Sequence, residues 1–305
     1  MNAAPRLKTA LLGAAPLLFV LLWSTGFLGT KGAARNADPF AFLGVRFVLA
    51  ALLMALLTAA LRAPWPTPAQ ARRAAVTGLL LHAGYLGGVT VAIHLGLPAG
   101  VTSVLVGLQP LLTALLSAPV LGEAVTARQW SGLGLGFVGV LLVVVGRPVG
   151  TGSLSAGALL AAGIALACTT AGTLYQRRYG AGMPLLGGTT VQYLASALLM
   201  GLILLAQGGG TIHWNTEFIL SLTWLVLVLS VGAILLLMRL LRDLPAAQVG
   251  SLFYLVPPLA VLEAFVLYGE RLSLWSLAGL GLCVAGVALA ATQPAGPRPR
   301  THTHE

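Results

Sequence analysis

Two charges stand inside long apolar runs of this sequence, Arg46 and Glu263. An ionised group in such a run needs a partner or a task, because hydrocarbon is a poor solvent for it. Glu263 lies seven residues before Glu270, and Arg46 seven residues after Pro39. On helices running in opposite directions, that places both charges at a similar depth, roughly 10 Å beneath one surface. We expect Arg46 and Glu263 to pair, directly or through water, as a gate, a proton-coupling element or structural glue, with structural pairing the first expectation.

A second group of residues could bind a solute. His82 and Tyr85 are three apart and share a helix face. With Trp23 and Tyr254 they could line an aromatic pocket, suited to flat or cationic organic compounds. Packing between helices is the plainer role for any one of them. Gln109 falls mid-run and its buried amide must find hydrogen bonds, to a solute or to another helix. Pro110 follows it, and Pro257-Pro258 recurs later. Each proline removes a backbone hydrogen bond, so both places are expected to kink, as static bends or as hinges.

Other chemistry finds little purchase. His82, His94 and His213 show no metal-ligand spacing, and HExxH is absent. Cys168 and Cys283 lie apart in apolar runs and read as packing residues. No metal site, cofactor or catalytic set is expected, and no phosphate-binding GxxxxGK[ST] loop occurs.

The elements that must position these residues follow from composition. The chain has 305 residues, 58% hydrophobic and 8% charged, against about 25% charged in a soluble domain. One water-facing core cannot hide that much apolar surface, so the bilayer is the expected solvent. Cutting runs of about 20 residues at charged and Pro/Gly-rich punctuation gives ten spans. They lie near 11–31, 39–61, 74–95, 99–119, 127–146, 154–175, 184–206, 217–238, 246–267 and 273–292. Residues 293–305 read as a disordered cytoplasmic tail. The net charge of +10 is spread between the runs, so it is read as topology signal and lipid contact, with no nucleic-acid partner. With both termini in the cytoplasm, Arg6, Lys8, Arg62, Arg72, Arg73, Arg128, Arg177, Arg178, Arg239, Arg242, Arg298 and Arg300 lie inside. Only Lys31, Arg35, Arg147 and Arg271 then lie outside.

The chain also repeats itself. Leu97-Pro98-Ala99 recurs as Leu244-Pro245-Ala246, Pro110 as Pro257, Gly122-Glu123 as Gly269-Glu270, and Gly132-Leu133-Gly134-Leu135 as Gly279-Leu280-Gly281-Leu282, all 147 residues apart. Ala51-Leu52-Leu53-Met54 recurs as Ala197-Leu198-Leu199-Met200, 146 apart. Five helices per copy is an odd number, so the second copy must enter the membrane from the opposite side. The expected architecture is an all-α integral membrane protein of ten transmembrane helices in two inverted five-helix repeats, 11–146 and 154–292. Inverted repeats are a feature of secondary transporters, which place their site between the copies. Glu123 and Glu270 read as helix-start residues. Gly132 and Gly136 form a GxxxG contact, within the chain by default or between two copies in a homodimer.

Trp23-Ser24, Pro39, Arg46, the run from Leu97-Pro98-Ala99 to Leu121-Gly122-Glu123, Leu174-Tyr175-Gln176-Arg177-Arg178 and the run from Pro245 to Gly286 together resemble the EamA family of the drug/metabolite transporter superfamily. The resemblance covers nearly the whole chain. It implies a non-enzymatic secondary transporter in the inner (plasma) membrane with a central cavity, often exporting amino acids, metabolites or toxic compounds. Protons are a candidate coupling ion. Uptake of a narrow metabolite, or a membrane-embedded protein or enzyme without transport activity, are the competing readings.

Overall fold

Without water to bind its polar groups, a membrane-embedded backbone has to satisfy its own hydrogen bonds, and the helix does so within one segment. The computed structural model describes residues 3–97, 102, 105–145, 155–256, 259, 262–263 and 273–291, and these are nearly all helical. In chain order, α1 comprises Ala3–Ser24 and Gly26–Ala34, separated by Thr25. Then come α2 Pro39–Ala60, α3 Pro68–His94, α4 Gln109–Leu121 and α5 Ala127–Val145. The second half holds α6 Ala156–Tyr179, α7 Leu185–Ala206, α8 Thr216–Asp243, α9 Ala246–Leu252 with the turn Phe253–Leu255, and α10 Leu274–Ala291. These ten elements fall on the ten expected spans. Five of them, α2, α3, α6, α7 and α8, are each long and apolar enough to cross a membrane unaided.

Helix starts are written locally. Asp38 caps α2 by accepting from Phe40 N and Ala41 N, and Pro39 occupies the first turn, where its missing N–H costs nothing. Thr67 and Gln70 form a reciprocal capping box around Pro68 at the start of α3. Ser155 caps α6 through Ala158 N. Gly122 ends α4 at φ +70°, a left-handed position that favours glycine.

The packing proves the inversion. α5 lies against α10 and α2 against α7, each helix on its own counterpart. α3 packs on α6 and α8 on α1, and exchanging the halves converts one contact into the other. A Cβ built on Gly132 would meet Gly286 O at 2.6 Å, and one on Gly139 would meet Gly279 O at 2.7 Å. These two contacts exchange under the 147-residue offset, and the numbering falls along α10 as it rises along α5, so the counterparts are antiparallel. The GxxxG stripe therefore serves packing inside the chain. Leu52 and Leu56 on α2, with Leu198 and Leu205 on α7, lie exposed on the outer surface, where hydrocarbon is their solvent.

At Pro110 the helical path is interrupted. Pro110 sits in the first turn of Gln109–Leu121, after a turn at Gly107-Leu108. A proline is accommodated there because an N-terminal N–H has no intrahelical acceptor. In α9 the helix tightens to a 3-10 turn at Phe253–Leu255, at the position equivalent to that break. Pro257 and Pro258 lie outside the described residues, as do Glu270 and the tail 293–305.

Candidate functional site

Where α1, α3, α4, α5, α6 and α9 meet, their side chains leave a cleft. It is lined by Trp23, Tyr85, Val89, Ile93, Thr102, Val106, Gly107, Gln109, Val140, Thr169, Phe253, Tyr254 and Val256. The space amounts to about 650 Å³ including its open mouth, and only a small part is wide enough for water. The lining runs from Gln109 and Tyr254 toward the end of α3, where Ile93 lies. It is mainly apolar and aromatic, with isolated polar groups, as in sites for small organic molecules.

Four of the five expected cavity residues line this cleft: Trp23, Tyr85, Gln109 and Tyr254. Trp23 packs against Phe19 and Phe253, ring centroids 5.2 and 5.4 Å away. Gln109, 3% exposed, donates from Nε2 to Thr113 Oγ1 at 3.0 Å and Thr173 Oγ1 at 3.5 Å, tying α4 to α6. The Tyr254 hydroxyl is buried without a hydrogen-bond partner. Phe253, adjacent to Tyr254, escaped the sequence reading because its aromatic contacts become visible only once α9 is laid against α1.

The fifth, His82, is not in the lining. It is fully buried, 3.2 Å by Nε2 from Gln192 Oε1, and stacked on Tyr193 with centroids 4.4 Å apart. His82 belongs to a π-helical stretch of α3, Leu79–Gly84, and a second such stretch, Leu225–Ala233, interrupts α8. The second begins 146 residues after the first, the offset that relates α2 to α7. Each extra residue per turn rotates the following side chains relative to an ideal helix. Together these stretches carry His82 and Ser230 toward α7 and α2.

The expected Arg46–Glu263 ion pair is not formed in this conformation. Arg46, 6% exposed, donates from Nε to Ser230 Oγ on α8 at 3.0 Å. Glu263 accepts from Ser24 Oγ on α1 at 2.5 Å, and its other oxygen, Oε2, is buried without a partner. The depth argument set the level of each charge but not its azimuth, and the two residues face different neighbours.

Away from the cleft, at the face where α4, α6 and α8 end and α9 begins, the halves are tied by a polar network. Arg177 donates from Nε to Glu123 Oε1 at 2.7 Å and from Nη1 to the carbonyls of Leu241 and Arg242 at 3.1 and 3.0 Å. Glu123 Oε2 accepts from Ala246 N at 3.2 Å. Arg178 reaches Val120 O, and Arg242 the carbonyl of Met183. Glu123 thus does more than start a helix: one carboxylate joins a hairpin of the first repeat to α6 and α9 of the second. Among the described residues no cluster of three or more His, Cys, Asp or Glu could hold a metal.

Known proteins resemble this chain in sequence and fold. The profile of the EamA-like transporter family matches residues 9–145 and 155–292. The chain is 29% identical over 306 residues to the uncharacterized transporter YvbV of Bacillus subtilis (strain 168), covering 96% of this chain and 94% of that one. It is 28% identical over 288 residues to a probable amino-acid metabolite efflux pump of Salmonella typhimurium (strain LT2), covering 89% and 91%. A solved crystal structure superposes with TM-score 0.74 at 24% identity over 91% of this chain and 95% of that one, a likeness of fold.

Proposed function

The chain belongs to the EamA-like transporter family, a multi-pass membrane transporter, and from that premise we propose that it exports small organic solutes, amino acids or amphiphilic metabolites, across the inner (plasma) membrane by alternating access. The observation that carries this reading is a largely apolar cleft between two inverted repeats, backed on one face by the Glu123–Arg177 network. With both termini cytoplasmic, as the positive charges favour, that network closes the cytoplasmic end, and this conformation faces outward. The inverted repeats supply the opposite state, because exchanging their conformations inverts the cleft. The relative named as an amino-acid metabolite efflux pump favours amino-acid-like cargo and the outward direction.

Glu263 is the coupling candidate. It is an embedded carboxylate bonded to Ser24, the neighbour of cleft-lining Trp23, and one of its oxygens has no partner. A proton on that oxygen would remove the charge. A growth-tolerance panel in cells overproducing the protein tests the function, with inhibitory amino acids, their analogues, organic cations and dyes. Tolerance to one chemical class, lost in Gln109→Ala protein that still reaches the membrane, is the expected outcome. Sensitisation instead of tolerance would mean uptake and refute export. Glu263→Gln is expected to lose proton-driven transport while keeping solute exchange in vesicles without a proton gradient. Full proton-driven transport by that variant would remove Glu263 from coupling.

A further inference from the structure

α3 and α6 belong to different repeats and lie side by side. A Cβ on Gly88 would meet Ala161 O at 2.7 Å, one on Gly84 the sulfur of Cys168 at 2.6 Å, and one on Gly172 the Leu81 side chain at 2.7 Å. The numbering falls along α3 as it rises along α6, so the two are antiparallel and the start of α3 meets the end of α6. Each is long and apolar enough to cross a membrane, so this end of the pair reaches the headgroup layer.

Two arginines share one ring there. The guanidinium carbons of Arg73 on α3 and Arg178 on α6 each lie 5.5 Å from the centroid of Tyr179. Tyr175 backs that ring, with centroids 4.6 Å apart. Two like charges gathered around one side chain repel each other, and the ring face offsets only part of the cost. The two carboxylates described at this end are already engaged, Glu123 by Arg177 and Asp243 by Arg239. Among the described residues the Arg73 guanidinium donates no hydrogen bond, and Arg178 spends only Nη1, on Val120 O at 2.7 Å. Both side chains are exposed.

A guanidinium over a ring keeps its N–H edge free, and that edge matches the oxygens of a phosphate. We propose that Arg73, Arg178 and Tyr179 form a phosphate site for an anionic phospholipid at the seam between the two repeats. Position favours a lipid over a soluble anion. The site stands at the end of two membrane-crossing helices, and Trp65, 52% exposed, lies in the loop that enters α3, as aromatic residues do at membrane interfaces. With both termini cytoplasmic, this is the cytoplasmic leaflet, which carries anionic headgroups. A phosphate held by both arginines removes their repulsion and ties α3 to α6, so occupancy stabilises the assembled repeats. None of the three residues lines the cleft, and the proposal does not depend on what the cleft carries.

The test is thermal melting of the purified full chain in detergent, titrated with phosphatidylglycerol or with phosphatidylcholine of the same acyl chains. Wild type is expected to be stabilised at about tenfold lower concentrations of the anionic lipid, the scale of one charge-assisted contact. Arg73→Gln is expected to fold, since it breaks no described hydrogen bond, and to lose that preference by about fivefold or more. Arg73→Lys, which keeps the charge without the planar fork, is expected to retain part of it. Arg72→Gln removes the same charge one residue away, at an exposed side chain, and is expected to keep the preference. Equal stabilisation of wild type by the two lipids, a comparison that needs no variant, overturns the proposal. Undiminished preference in Arg73→Gln also overturns it, as does equal loss in Arg72→Gln and Arg73→Gln, which would mean diffuse attraction to a basic surface. Inorganic phosphate or a short oligonucleotide matching the effect of the lipid would make the occupant a soluble anion and overturn the lipid assignment.

Discussion

Arg177 and Glu123 meet at 2.7 Å across the junction of the two repeats, and each also holds main-chain groups of the second repeat, Arg177 the carbonyls of Leu241 and Arg242 and Glu123 the amide of Ala246. A partly exposed ion pair contributes about 0–1 kcal/mol, and each added main-chain bond contributes about 1 kcal/mol. Two conformations of a transporter differ by only a few kcal/mol. A set of contacts of this size is enough to bias which end is closed.

Glu123→Gln should therefore shift the protein toward the conformation open at the opposite end. In a background where Cys168 and Cys283 are replaced by serine, a cysteine placed at Thr173 reports the change. Thr173 lies on the α6 face that meets Gln109 and is buried. Its labelling by a polar maleimide from the cytoplasmic side should rise by about fivefold to tenfold, the ratio that corresponds to roughly 1–1.4 kcal/mol. Unchanged labelling would show that the pair does not hold this end closed.

The contact between α5 and α10 makes a prediction about stability. A Cβ on Gly132 would stand 2.6 Å from a backbone oxygen of Gly286, which cannot move aside as a side chain would. Gly132→Ala should force the helices apart and destabilise the protein by about 1–3 kcal/mol. Gly134→Ala, two residues away, meets nothing within 4 Å and should melt as wild type does. Thermal melts of the detergent-solubilised variants decide it, and equal melting temperatures for the two would refute the close approach.

His82 is expected to matter for folding and not for selectivity. Its removal in His82→Ala leaves Gln192 Oε1 without that partner and Tyr193 without its stacked ring, a loss of about 2–4 kcal/mol from cavity and unmade hydrogen bond together. The melting temperature should fall, while the ratio of transport rates for two solutes stays within about twofold of wild type. A changed solute preference at unchanged stability would place His82 in the site after all.

Much of the architecture was legible from residue order. Lipid-scale apolar runs and the 147-residue recurrence of Pro and Gly-Glu are local or periodic signals. They specify where helices begin and how many there are. The candidate cleft was legible in part, because Trp23, Tyr85, Gln109 and Tyr254 are large or polar side chains at mid-run positions. Two features were hidden. The π-helical stretches carry no residue signature, since their extra residue per turn is stabilised by contacts with α2 and α7. The Glu123–Arg177 network joins residues 54 apart through a hydrogen bond that exists only when the hairpin, α6 and α9 converge.

By itself the sequence determined that this chain lives in lipid, in ten helices, as two copies facing opposite ways, because hydropathy, helix length and repeat register are properties of the chain taken in order. Which way each buried polar side chain turns was decided only in the tertiary structure. Arg46 and Glu263 have the right depth to meet, yet one turns to Ser230 and the other to Ser24, because azimuth depends on how neighbouring helices pack and on where their turns widen. Depth accumulates along one helix at a constant rise, whereas partnership is settled by all the helices at once.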